Sequence, residues 1–149
     1  MVILQGPPGS GKTTFAKKIF PALTTVKGMP LICSTDDYFY DEVTLEYNYD
    51  PNRLPEFHLA NQNRALWAIR TGHSVIIDNT NIRAWEARTY VQIAKDNNVQ
   101  VVFVRLNGRF TNTHGVPEDR VEYLSSMMED LSEESCLSAT PPWSVRNPG

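Results

Sequence analysis

The chain predicts an α/β architecture: a central parallel sheet of four or five strands, helices on both faces and a lid. Three observations carry this. Short apolar runs alternate along the chain with amphipathic stretches of helical period, the pattern of right-handed strand–helix–strand crossovers. The apolar runs are brief and continuous, as in strands buried on both faces. The first run, Met1–Leu4, enters a glycine-rich turn that opens directly into a helical segment. The 149 residues fit one domain with a real core, hydrophobic and charged fractions are ordinary, and nothing approaches the ~20 apolar residues of a membrane span.

Taken in order, the first strand covers about residues 1–5, and the first helix runs from about Gly11 to Phe20, stopped by Pro21. Leu31–Ser34 is the second strand. The aromatic, Pro- and Asn-containing stretch that follows, through Pro55, reads as an ordered surface loop. A long helix is expected over about 56–71, with Leu59, Leu66 and Ile69 inward and Gly72 as its C-terminal cap. Ser74–Asp78 is the third strand. Asn81 is placed to cap a helix over about 84–97, whose Ala87, Tyr90, Val91 and Ala94 share one face. The fourth strand is Val99–Leu106. A polar segment, about 107–117, reads as the lid, and a last helix covers about 117–131, with Val121, Leu124, Met128 and Leu131 inward. The domain is expected over 1–131, with 132–149 a tail either draped over the body or disordered.

The glycine-rich turn reads Gly6-Pro7-Pro8-Gly9-Ser10-Gly11-Lys12-Thr13, which fits the phosphate-binding loop G-x-x-x-x-G-K-[ST], with a strand before it and a helix after it. Its glycines let phosphate oxygens approach the backbone, and its N–H groups lie at the positive end of the helix dipole. Gly9, Ser10, Gly11, Lys12, Thr13 and Thr14 are therefore the expected ATP-binding residues, with Lys12 on the β- and γ-phosphates and the Thr13 hydroxyl on Mg²⁺.

Ligands of open α/β sheets lie beyond the carboxyl ends of the strands. Asp36-Asp37 follows the second strand there, and Asp78-Asn79-Thr80-Asn81 follows the third. A carboxylate facing a γ-phosphate can take the proton of an attacking hydroxyl, the requirement of a kinase. Asp36 is assigned this role with a part in holding Mg²⁺; the alternative is a cap on the next turn, which suits Asp37 better. Asp78 is either the metal-associated acid or an anchor of its loop. Asn79 and Thr80 form a polar shelf for substrate or a turn, and Asn81 suits the turn. Arg105 and Arg109 are candidate cations over the transferring phosphoryl group, or solvated arginines. His114 reads as a structural hydrogen-bonder, as do His58 and His73. Tyr38, with Phe39, Tyr40, Tyr47 and Tyr49, could stack the bases of a single strand or simply pack.

Composition limits the partners. Residues 1–117 hold twelve Lys/Arg and ten Asp/Glu, whereas residues 118–149 hold two and seven. A mildly basic body with an acidic end can accept a polyanion locally but does not coat duplex nucleic acid. Cys33 and Cys136 lack metal-ligand spacing; reduced thiols and the lack of a leader ahead of Gly6 lead to the expectation of a soluble cytoplasmic protein.

Four segments together resemble one family: Gly-Pro-Pro-Gly-Ser-Gly-Lys-Thr-Thr at 6–14, Ser-Thr-Asp-Asp-Tyr at 34–38, Val-Ile-Ile-Asp-Asn-Thr-Asn at 75–81 and His-Gly-Val-Pro at 114–117. This is similar to the kinase domain of the 5′-hydroxyl polynucleotide kinases of phages and of mammalian DNA-end repair, across about residues 1–131. The resemblance implies ATP–Mg²⁺ as donor and a 5′-OH of DNA or RNA as acceptor, with Asp36 as general base, Lys12 on the phosphates and Thr13 on the metal. Two positions depart from it. Phe39 stands where the phage enzymes have an arginine for the acceptor phosphate, and Thr111 aligns with their lid arginine. Arg109, in an Arg-Phe pair, resembles the lid of the repair enzymes. A small-molecule kinase acting on a sugar or nucleoside, and a nucleotide-binding module with little or no turnover, are the alternatives.

Overall fold

The computed structural model describes residues 1–111 and 114–144. Within the expected lid, positions 112 and 113 lie outside the described residues, as does 145–149 of the expected tail. Four parallel strands, β1 (Val2–Gln5), β2 (Leu31–Cys33), β3 (Val75–Ile77) and β4 (Val102–Arg105), form one sheet in the order β2-β3-β1-β4. Val2 and Ile3 pair with Ile76 and Ile77 on one side and with Val102 and Phe103 on the other. The two central strands, β1 and β3, are buried along their whole length, which is why their sequences are unbroken apolar runs.

Alternation along β1 divides the core. Val2 and Leu4 face Ala16, Phe15 and Ile19 of α1 (Lys12–Ile19). Ile3 faces the opposite layer, formed by α2 (Leu54–Arg70), α3 (Ala84–Asp96) and α5 (Glu133–Ser138). Small residues, Ala65 and Ala68 of α2 and Ala87 and Ala94 of α3, have no exposed surface, so these helices lie close on the sheet. The expected face of α3 is the observed one.

Several element ends differ from the sequence reading, each for a local reason. α1 gives way to a 3-10 turn, Phe20–Leu23, in which Pro21 removes a backbone donor. α2 turns Phe57, Asn61, Ala65, Ala68 and Ile69 inward and leaves Leu59 59% exposed, because Leu59 is about 200° around the helix from Phe57. Gly72 ends α2 as expected, at φ 88° with its N–H on Ile69 O. Asn81 does not cap α3. Its Nδ2 donates to Leu4 O at 2.8 Å, tying the end of β3 to β1, while the N–H of Arg83 is taken by Glu86 Oε2 at 2.6 Å.

The helix expected over 117–131, α4 (Glu118–Ser126), is shorter because the chain turns after Met127 to meet β1 and β4. There the N–H of Glu129 bonds Ile82 O, and Gln5 Nε2 bonds Glu129 O. Within the described part of the expected tail, a short helix, α5, packs on the body. Ser132 and Ser135 cap α5 reciprocally, and Cys136 has no exposed surface in the core beside α3. Both cysteines are free and buried, and burial pushes the Cys33 thiol up to about 11.

Candidate active site

The glycine-rich turn leaves β1, whose neighbours β3 and β4 lie on opposite sides, so the turn opens between two crossovers. Gly9 and Gly11 sit at φ 81° and 99°, where an L side chain is strained. The amide of Gly6 donates to Thr80 O at 2.9 Å, fastening the turn to the end of β3. The Lys12 ammonium donates to the carbonyls of Gly6 at 2.8 Å and Pro7 at 3.1 Å, so it curls over the loop as a fixed cation. Burial lowers its pKa, against the raising pull of Asp78 and Asp36.

Thr13 stands at the start of α1 and its hydroxyl donates to Asp78 Oδ2 at 3.0 Å. Asp78 is 8% exposed at the end of β3, and burial raises its pKa while Thr13 and Lys12 oppose the shift. A hydroxyl beside a buried carboxylate is the oxygen-rich donor pair that suits a hard divalent cation. Ser10 Oγ, in the loop, is buried with no hydrogen-bond partner.

Asp36 lies on a 3-10 turn, Thr35–Phe39, that directly follows β2. The turn is pinned at its start, where the Thr35 N–H donates to Asn79 Oδ1 at 2.9 Å and Thr35 Oγ1 lies 3.1 Å from His58 Nδ1. Both oxygens of Asp36 are engaged. Tyr47 donates its hydroxyl to Oδ1 at 3.1 Å, and His114 Nδ1 stands 3.4 Å from Oδ2. Burial, then the Asp36 carboxylate, pushes the Tyr47 phenol well above its ordinary value, so it stays a donor.

Lys12, Thr13, Thr14, Asp36, Asp78, Asn79 and Thr80 line a single cavity of about 190 Å³, together with Gly9 and Gly11 of the loop. Phe110 and His114 also line it. A second cavity, of about 520 Å³, lies between Pro8-Gly9 and Val121 of α4, with Arg109 on its wall. Arg109 is exposed there.

Two expected site residues are placed elsewhere. Arg105 lines neither cavity: its Nε donates to Gln5 Oε1 at 2.9 Å, and Nη2 to Glu129 O and Asp130 Oδ1. It is a brace for the turn between α4 and α5. Tyr38 stacks on Phe57 at 5.6 Å and does not line either cavity. The other aromatics of the loop also pack together, with Phe39 4% exposed among Tyr47, Tyr49 and Phe57. Conversely, the contacts of Tyr47 and His114 with Asp36 were not legible in the sequence, since neither is near Asp36 at any telling spacing.

Comparison with known proteins places the fold. The family model described as AAA domain matches residues 1–108. Human NEDD4-binding protein 2 is 41% identical over 104 residues, which cover 69% of this chain and 6% of that protein. The chain thus spans only a small part of the length of this curated relative. A chain in the structure of the Pnkp1/Rnl/Hen1 RNA repair complex superposes with a TM-score of 0.63 at 19% identity, covering 85% of this chain and 43% of that one. A putative kinase from Chloroflexus aurantiacus gives 0.52 at 15% identity, over 70% and 57% of the two chains. The APS kinase CysC of Mycobacterium tuberculosis, as a Cys556Ala mutant, gives 0.50 at 13% identity, over 87% and 96%. These likenesses show the fold, the four-stranded parallel α/β sandwich of P-loop kinases.

Proposed function

The chain belongs to the AAA domain family, and on that premise we propose that it is an ATP-dependent kinase that phosphorylates the 5′-hydroxyl of a DNA or RNA end. One observation carries the reading: the Asp36 carboxylate and the Lys12–Thr13 phosphate loop share one small cavity. An alcohol entering between them meets a proton acceptor on one side and phosphate-binding groups on the other. Asp36 takes the proton of the attacking hydroxyl. Lys12 and the amides of residues 9–14 hold the β- and γ-phosphates, and Arg109 is the cation of the lid. Thr13, with Asp36 and Asp78 nearby, would hold Mg²⁺, which neutralises phosphate charge when bound.

The acceptor assignment draws on the four matching segments and on the likeness to a chain of an RNA repair complex. Phe39 favours a second reading, a small-molecule kinase, because its buried ring occupies the position of the acceptor-phosphate arginine. Labelled ATP offered with 5′-OH oligonucleotides and with sugars and nucleosides tests both. Transfer to the oligonucleotide end, falling by about 10²-fold or more in Asp36→Ala, is the expected result. Label on small acceptors alone rejects the polynucleotide reading, and tight ATP binding without acceptor-dependent turnover leaves a binding module.

A further inference from the structure

Two loops far apart in sequence meet on Asp36. Tyr47 comes from the loop after β2, and His114 from the segment between β4 and α4. Their rings stack at 4.3 Å between centroids and 14° between planes. Each ring also reaches one oxygen of the same carboxylate, Tyr47 Oη at Oδ1 and His114 Nδ1 at Oδ2. Tyr40 completes the group, with its hydroxyl 3.4 Å from His114 Nε2 and its ring 5.1 Å from that of Tyr47. From these contacts we infer that the stacked Tyr47–His114 pair is a positioning clamp that fixes the rotamer of the general base.

The inference rests on the kinase reading and adds the group that orients its base. A carboxylate with 43% of its side chain exposed turns freely unless something holds it. A hydrogen bond on Oδ1 and an imidazole against Oδ2, each from a separate loop, restrict the carboxylate beside the cavity that both Asp36 and His114 line. The clamp is also tied to the phosphate loop. The N–H groups of Gly108 and Phe110 donate to Ser10 O at 3.1 Å and Gly9 O at 2.8 Å, a few residues before His114. Gly108 and Phe110, upstream of His114, are thus seated on the loop that would receive the triphosphate. Catalytic contacts that are long in the free protein tighten in the reactive complex, and the 3.4 Å approach of His114 has room to do so.

Three substitutions in the full chain separate orientation from mere packing. Tyr47→Phe keeps the stack and loses the hydroxyl; His114→Phe keeps the stack and loses the ring N–H; His114→Asn keeps an N–H near the Nδ1 position and loses the stack. Tyr47→Phe and His114→Phe should each lower kcat about tenfold, with KM for ATP unchanged, since misplacing a reacting group costs rate rather than binding. His114→Asn should restore most of that loss, and neither Phe substitution should lower the residual rate of Asp36→Ala further. Wild-type kcat in His114→Phe, or no recovery in His114→Asn, overturns the clamp. So does a raised acceptor KM at unchanged kcat, which makes the rings an acceptor platform instead. If the wild type transfers phosphate in an Asp36-dependent way and these variants are silent, the clamp alone falls. If the wild type transfers to no acceptor, the kinase reading falls and takes the clamp with it.

Discussion

Lys12 and His58 show how single side chains divide between chemistry and stability. The Lys12 ammonium bonds two loop carbonyls and lies against Asp78 and Asp36. Lys12→Ala removes the cation from the phosphates while relieving an ammonium of its own burial. Turnover should fall by about 10²-fold or more, with unfolding free energy within about 1 kcal/mol of wild type by urea titration. His58 works in the opposite sense. Its Nδ1 lies 3.1 Å from Thr35 Oγ1, and burial lowers its pKa below the ordinary 6.5 despite the opposing charge of Asp36. The unfolded chain therefore takes up a proton more readily than the folded one. The stability that His58 contributes is full above pH 6.5 and is lost as pH falls through its lowered folded value. Urea midpoints between pH 7.5 and 5 should decline more in the wild type than in His58→Asn; equal declines would show that His58 does not carry the effect.

At the scale of elements, α5 is the sharpest case. Ser132 accepts from the Ser135 N–H at 3.0 Å and Ser135 Oγ from the Ser132 N–H at 2.8 Å, with Glu133 and Glu134 in the first turn. Ser132→Ala should cost about 1 kcal/mol, seen as a lower urea midpoint, and an unchanged midpoint would show that packing alone holds the helix. The same element marks where sequence reading stops. Strands β1–β4 and helices α1–α3 were legible because burial on both faces or on one stripe leaves a period in the residues. The phosphate loop was legible because its chemistry demands particular residues in a fixed order. A helix of six residues shows fewer than two turns of pattern, so Cys136 could not be distinguished from a lone apolar residue in a Ser-rich stretch. The partners of Arg105 were illegible for a related reason. Its partners, Glu129 and Asp130, lie 24 and 25 residues away and meet it only because α4 ends early. Tyr47 and His114 were hidden in the same way, since loop-to-loop contacts have no period.

Over the whole molecule, charge sets how a nucleic acid could be held. The body through residue 117 has a small excess of Lys/Arg, and the segment from Glu118 onward is strongly acidic. Arg109 and Glu118 both line the second cavity, and Arg105 is paired with Asp130. Lys12 is turned into the phosphate loop. Contact with about two phosphates is then the expectation for an acceptor held at this cleft. A protein that neutralises about two phosphates of a single strand loses only about sevenfold in affinity between 50 and 200 mM salt, whereas one making 6–10 contacts to duplex loses about 10³–10⁵-fold. If the acceptor is a polynucleotide end, KM for a 5′-OH single strand should therefore rise by about sevenfold or less over that range. Acceptors should also gain little once they exceed the few nucleotides that reach the cavity. Steady-state kinetics on a length series at two salt concentrations reads both quantities. A steep salt slope, or a long strand far better than a short one, would require an extended basic track that this charge distribution does not provide.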